Sequence, residues 1–228
     1  MISDHSAPPF NPLPPVVLML AAAMVLPELA FQLGARGLAG GADAVGWRIG
    51  ALNRFAFSPP LFERMAELNR WPPAELARLV TYPFFHGGFS QMLFAVVFLL
   101  ALGKMVAELF RPAAFLAVFF GSAIVAALAY TFLLDDPTAL YGGFPAVYGL
   151  IGAYTFVLWT GLGHAGESRL KAFQLIGFLL GIQLVFGMLF GGSSQWVADL
   201  AGFATGFAMS FVVSPGGWSR ARALLRQR

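Results

Sequence analysis

Few residues in this chain could carry chemistry, and those that could fall in three short stretches. Asp199 sits inside an apolar run, with Gly202 and Gly206 following it at helical spacing. An ionisable group within hydrocarbon is costly and marks a functional site by default. Two readings of Asp199 stand side by side: a functional carboxylate, or an acid that is protonated or hydrogen-bonded to backbone or to Gln91 in a structural role. Aspartic-protease chemistry needs a pair of carboxylates sharing a proton, and no second acid lies at a matching depth in a span. His86 ends a polar and aromatic stretch just ahead of another apolar run, and a loop histidine of this kind is more often a satisfied structural group than a base. The three histidines (His5, His86 and His164) lie too far apart in sequence to suggest a metal cluster. With no cysteine there is no disulfide, thiolate nucleophile or Cys metal site, and no cofactor is expected. Ser90, Ser122, Ser193, Ser194 and Ser210 are nucleophiles only in principle, because no histidine occupies an obvious facing position.

The third stretch is 142–152. Phe144, Tyr148 and Gly152 recur at helical spacing and so share one face. Gly202 and Gly206 form a small-xxx-small pair that lets two helix backbones approach closely, and Asp199 lies one turn earlier on that face. Packing the two faces together would bring position 144 near position 199. Pro145 suits a first helical turn, where its missing N–H costs little. Phe144 is expected to fill space between two spans or, in the sharper reading, to plug a cleft there. Tyr148 would pack over Asp199 as a core aromatic or as its hydrogen-bond partner. Arg78 reads as a residue that pins a loop through backbone carbonyls.

The elements that must hold these residues are membrane spans. Hydrophobic residues make up 58% of the 228 and charged residues 11%, with a mean hydropathy of +0.74. A soluble domain carries about 25% charged residues, so the chain reads as polytopic. Apolar runs at about 16–33, 89–110, 113–134, 145–162, 172–190 and 196–213 predict a bundle of about six spans, each near 20 residues. Residues 1–15 form a Pro-rich tail without the charged region of a secretory signal, and 214–228 form a basic tail. The loop 34–88 is long enough to be functional. Within it, 62–68 and 73–80 have the apolar spacing of short amphipathic helices at a membrane surface, with Trp47 and Trp71 as interfacial anchors. Glu28, near the end of the first span, is costly there unless it reaches the interface or faces a polar interior, and the interface is its expected place. The stretch 191–194 reads as a tight turn. Lys104, Arg111, Arg169, Lys171, Arg220, Arg222, Arg226 and Arg228 share one side, opposite Asp135, Asp136 and a first loop whose arginines are diluted and partly offset by acids. This favours both termini inside. A net charge of +3, concentrated at span ends, is a topology signal and gives no reason to expect nucleic acid.

Three motifs in the right order carry a resemblance. Arg78-x-x-Thr81-x-x-Phe84-x-His86, Gly142-x-Phe144-Pro145-x-x-Tyr148-Gly149 and Ala198-Asp199-x-x-Gly202-x-x-x-Gly206 resemble segments of the rhomboid family of intramembrane serine proteases. The resemblance runs from about 71 to 213. It implies an all-α membrane protein, a six-transmembrane-helix rhomboid-like bundle with a long, partly helical first loop. It also implies that position 144 should be a serine nucleophile and position 199 its histidine base, and that oxyanion donors should stand at 91 and 95. Here these positions hold Phe144, Asp199, Gln91 and Ala95. A phenyl ring cannot attack a carbonyl, so the nucleophile–base pair is missing. Gln91 can still donate a hydrogen bond and Ala95 cannot; losing one oxyanion donor costs on the order of 10²–10³ in rate. The resemblance therefore implies a pseudoprotease, not an enzyme, in a bacterial inner membrane. It would bind transmembrane helices of a client or complex partner through the groove between spans two and five, with membrane lipids as its other contacts. In span five, Phe173, Phe178, Leu179, Phe186 and Phe190 are the aromatic and aliphatic residues placed for such contact. The alternative is an active intramembrane serine endopeptidase with relocated chemistry.

Overall fold

The computed structural model describes residues 12–190 and 194–215, the side chains at 183, 184 and 186–190 excepted. Most of the Pro-rich tail, most of the basic tail with Arg220, Arg222, Arg226 and Arg228, and most of the 191–194 turn with Ser193 lie outside the described residues. The helices in chain order are α1 (Pro15–Ala35), α2 (Trp47–Phe55), α3 (Pro59–Glu67), α4 (Pro73–Leu76), α5 (Arg78–Thr81), α6 (Phe89–Leu109), α7 (Pro112–Leu133), α8 (Phe144–His164), α9 (Gln174–Phe190) and α10 (Trp196–Val213). Prolines open α1, α3, α4, α7 and α8 within their first two positions, where the absent N–H would have been unpaired anyway.

Five of these helices (α1, α6, α7, α8 and α10) are long and apolar enough to cross a membrane. The sixth, α9, has 17 residues, about 25 Å at 1.5 Å per residue. That sits at the short end of what spans a bilayer. The fold is thus an all-α membrane bundle with a partly helical first loop. Among the described residues the only β feature is an isolated antiparallel bridge between Phe57 and Leu140.

The centre of the bundle is α8. From Pro145 to Ala153 every residue is buried, because α6, α7 and α10 all pack against it. A helix that is apolar on all sides belongs inside. Lipid offers helices no hydrophobic reason to associate, so close packing of small residues must do that work. A Cβ on Gly202 would collide with the Pro145 carbonyl, one on Gly206 with the Gly149 carbonyl, and one on Gly152 with the Phe203 carbonyl. Ser122 of α7 fills the space that a side chain at Gly149 would need.

The first loop is more ordered than its two amphipathic pieces suggest. A helix that sequence spacing did not indicate, α2, precedes α3, and the 73–80 piece divides into α4 and α5. Both α3 and α5 pack against α7. Phe62 of α3 stacks among Phe57, Trp71 and Phe132, so Trp71 covers an aromatic cluster as well as meeting the surroundings. Arg78 Nη1 donates to the Asn53 carbonyl at 2.8 Å and the Ala56 carbonyl at 3.0 Å, tying α5 to the end of α2.

Glu28 departs from its expected place at the interface. It is 2% exposed, and its carboxylate takes both guanidinium nitrogens of Arg48, each at 2.7 Å. Gln32 Nε2 donates to it as well, at 2.8 Å. The first loop folds back over the end of α1 and brings the arginine to the acid, so the acid has no need to reach water.

Candidate functional site

The site forms where the loop 82–88, the turn 141–143 and the first turns of α6, α8 and α10 meet. Two glycines make the turn possible. Gly142 has φ +95, a left-handed conformation that L side chains avoid, and a Cβ there would approach Gln91 Nε2 to 2.7 Å. The Gly142 N–H donates to the Tyr82 carbonyl at 3.0 Å. The Gly143 N–H donates to His86 Nε2 at 3.2 Å, so His86 is the acceptor that fixes the entrance to α8.

That bond sets the tautomer of His86: Nε2 is bare and Nδ1 carries the proton. The ring is 1% exposed, and its Nδ1 has no well-formed hydrogen bond, although the neighbouring Phe84 carbonyl favours a proton there. Burial, the largest influence, pushes the imidazole pKa down to about 4, against the opposing pull of Glu28. The histidine is therefore neutral and serves as a structural acceptor. Its own carbonyl accepts from Arg48 Nη1 at 2.9 Å. A continuous chain thus runs from Glu28 in α1 through Arg48 and His86 to the head of α8.

Gln91 is turned toward the loop. Its Oε1 accepts from the Gly87 N–H at 2.8 Å, and its Nε2 reaches toward the Tyr141 carbonyl at 3.5 Å. Ala95, one turn further along α6, is fully buried and offers no polar atom. The amide at 91 is thus engaged by backbone, and position 95 is core.

Phe144 and Asp199 stand at the heads of adjacent, closely packed helices. Because Gly202 meets Pro145 and Gly206 meets Gly149, Asp199 lies one turn nearer that end, level with the 142–144 turn. Phe144 is half-buried and packs against a cluster of Leu102, Tyr148, Ile151, Ile176 and Phe203, which joins α6, α8, α9 and α10. Asp199 is 4% exposed and lies near the phenols of both Tyr82 and Tyr148. Tyr82 is fully buried, and its hydroxyl donates to the Ala123 carbonyl of α7 at 2.9 Å. Burial and then the Asp199 charge push its pKa well above the usual phenol range, so it stays a neutral donor.

Of the five candidate serines, the four that are described offer no substitute nucleophile paired with histidine. Ser210 donates to the Gly206 carbonyl, Ser122 is buried against α8 without a hydrogen-bond partner, and Ser90 is exposed. Ser194 lies beside Asp136. His86 is already committed to Gly143.

Helices of this length and apolarity, packed through glycines around a buried α8, define a polytopic membrane protein. The family profile described as Rhomboid domain matches residues 73–216, and the chain belongs to the rhomboid family. A search of the curated proteins finds no match. The matched region contains Arg78, His86, Gln91, Ala95, Phe144, Tyr148, Asp199, Gly202 and Gly206, and the structure gathers all of them except Arg78 around α8. Arg78 lies in the loop, holding backbone.

Glu28, Arg48 and Tyr82 belong to this assembly and were not singled out from sequence as its members. An acid in an apolar run does call for a cationic partner. The first loop, however, supplies six arginines, and only folding selects Arg48.

Proposed function

We propose that this rhomboid-family protein is non-catalytic and binds transmembrane helices of partner proteins, as an adaptor or as a subunit of a larger membrane complex. The observation that carries the reading is the side chain at the head of α8. Phe144 holds the nucleophile position and packs into an apolar cluster that spans four helices, and a phenyl ring cannot attack a carbonyl. Covalent catalysis requires a nucleophile within hydrogen-bond reach of a base, and among the described residues no hydrogen bond joins a serine to a histidine.

The partner-binding surface in this reading is the outward face of α9. Phe178 is 66% exposed, and with Gly181, Ile182 and Val185 it lines a shallow depression of about 370 Å³. Not every span-five residue expected there takes part. Phe173 and Leu179 pack inward against the Tyr148 cluster, and the side chains of Phe186 and Phe190 lie outside the described residues. The membrane we propose is a bacterial inner membrane; the orientation we propose, with both termini inside, rests on Lys104, Arg111, Arg169 and Lys171 at one end of the bundle.

The test is purification in mild detergent from the native membrane, with mass spectrometry of what accompanies the protein. A stoichiometric membrane partner, lost on Phe178→Ala or Phe144→Ala, supports the proposal. A solitary protein that cleaves added transmembrane substrates, with cleavage abolished by Asp199→Ala, overturns it in favour of an unconventional protease built on the buried acid.

A further inference from the structure

At the end of the bundle remote from this site, α8 stops at His164 and the chain turns through 165–173 into α9. Arg169 in that turn is laid across Trp159, its guanidinium carbon 4.6 Å from the ring centroid. The seat depends on Gly163, where a Cβ would come within 2.7 Å of Arg169 Nη2. The indole is itself held in place, with Phe156, Phe207 and Phe211 at centroid distances of 6.3, 6.0 and 5.9 Å. Among the described residues no carboxylate pairs with the guanidinium. The acid of this turn, Glu167, pairs with Lys171 at 2.9 Å. Leu170 beside it is 79% exposed.

From this arrangement we infer a binding site for the phosphate of an anionic phospholipid headgroup, with Arg169 as its principal ligand. A guanidinium is weakly hydrated and offers a planar fork of N–H donors that matches phosphate oxygens. Stacking on a fixed indole orients that fork in advance, at the depth where tryptophan marks the bilayer boundary. Leu170 and the lipid-facing Phe211 then meet acyl chains. A free phosphate or a soluble acidic partner would leave both residues in water. At the same end of the bundle Arg111, which is in none of the described ion pairs, adds positive potential that draws anionic lipid to this leaflet.

The test uses the full-length protein in neutral detergent, with native mass spectrometry counting bound phosphatidylglycerol against phosphatidylcholine. Wild type is expected to retain the anionic lipid preferentially. Arg169→Gln should weaken that retention about fivefold, the value of one juxtamembrane cation at a charged surface. Trp159→Leu should follow it, and Arg111→Gln should keep most of the preference. Arg169→Lys keeps the charge without the fork and should fall between, which covers the case in which the glutamine variant does not fold. The proposal is overturned if wild type shows no preference, if Arg169→Gln keeps it, or if Arg111→Gln removes it equally, since a diffuse potential would then suffice.

Discussion

His86 lends itself to the sharpest test of a single side chain. Its folded pKa is depressed to about 4, while an unfolded histidine titrates near 6.5. Above about 6.5 both states are neutral there, and the native state keeps the full benefit of the buried ring. As pH falls from about 6.5 toward 4, the unfolded state takes up a proton that the folded state refuses, and up to about 3 kcal/mol of stability is lost. In His86→Gln that part of the pH dependence should vanish, as read by unfolding in bicelles across this window. Persistence of the same slope would show that other groups cause it. Glycine packing gives a second contrast between single positions. Gly206→Val drives a branched side chain into the Gly149 backbone, which cannot move as a flexible side chain would, and should cost about 3 kcal/mol or more. Gly177→Ala on α9 meets nothing within 4 Å and should keep stability or raise it, by up to about 1 kcal/mol from the helix preference of alanine over glycine. Thermal or steric-trapping measurements on the two variants would decide.

Between elements, the informative joint is Glu28 of α1 with Arg48 of α2. Breaking a buried pair by removing one partner strands the other, at about 3–5 kcal/mol. Arg48 retains 21% side-chain exposure, so Glu28→Gln should fall near the lower end. Arg48 also donates to the His86 carbonyl, and Arg48→Met should therefore loosen the 82–88 loop in addition. A double-mutant cycle is expected to show coupling of about 1–3 kcal/mol between the two positions, together with faster amide exchange at Gly143 in either single variant. Additive effects and unchanged exchange would mean that the first loop and the head of α8 are independent.

For the whole molecule, alternation of spans puts the first loop and the 134–143 connection at one end, and the 110–111 and 165–173 connections at the other. The chain has no cysteine, so single introduced thiols report topology without background. In intact cells Asp135→Cys should react with an impermeant maleimide while Glu167→Cys does not, and lysis should expose the second. The reverse pattern would invert the proposed orientation without altering the fold.

The membrane class, the order of the spans and the family were legible in residue order, for a physical reason. A span must satisfy every backbone group internally, so its apolar length is written locally, and the apolar run at 145–162 becomes Phe144–His164 almost unchanged. Gly202 and Gly206 also announced a close helix contact, because only a missing side chain permits one. The identity of the residues at 144, 199, 91 and 95 was likewise in the sequence. What surrounds them was not. That Gln91 is spent on Gly87, that Phe144 joins a cluster reaching α9, and that Glu28 is buried against Arg48 all depend on contacts between residues up to dozens of positions apart. Six arginines compete in one loop, and burial of an acid selects whichever the fold can deliver with both nitrogens in range. Local periodicity carries no information about that choice; it was made only when the first loop closed over α1.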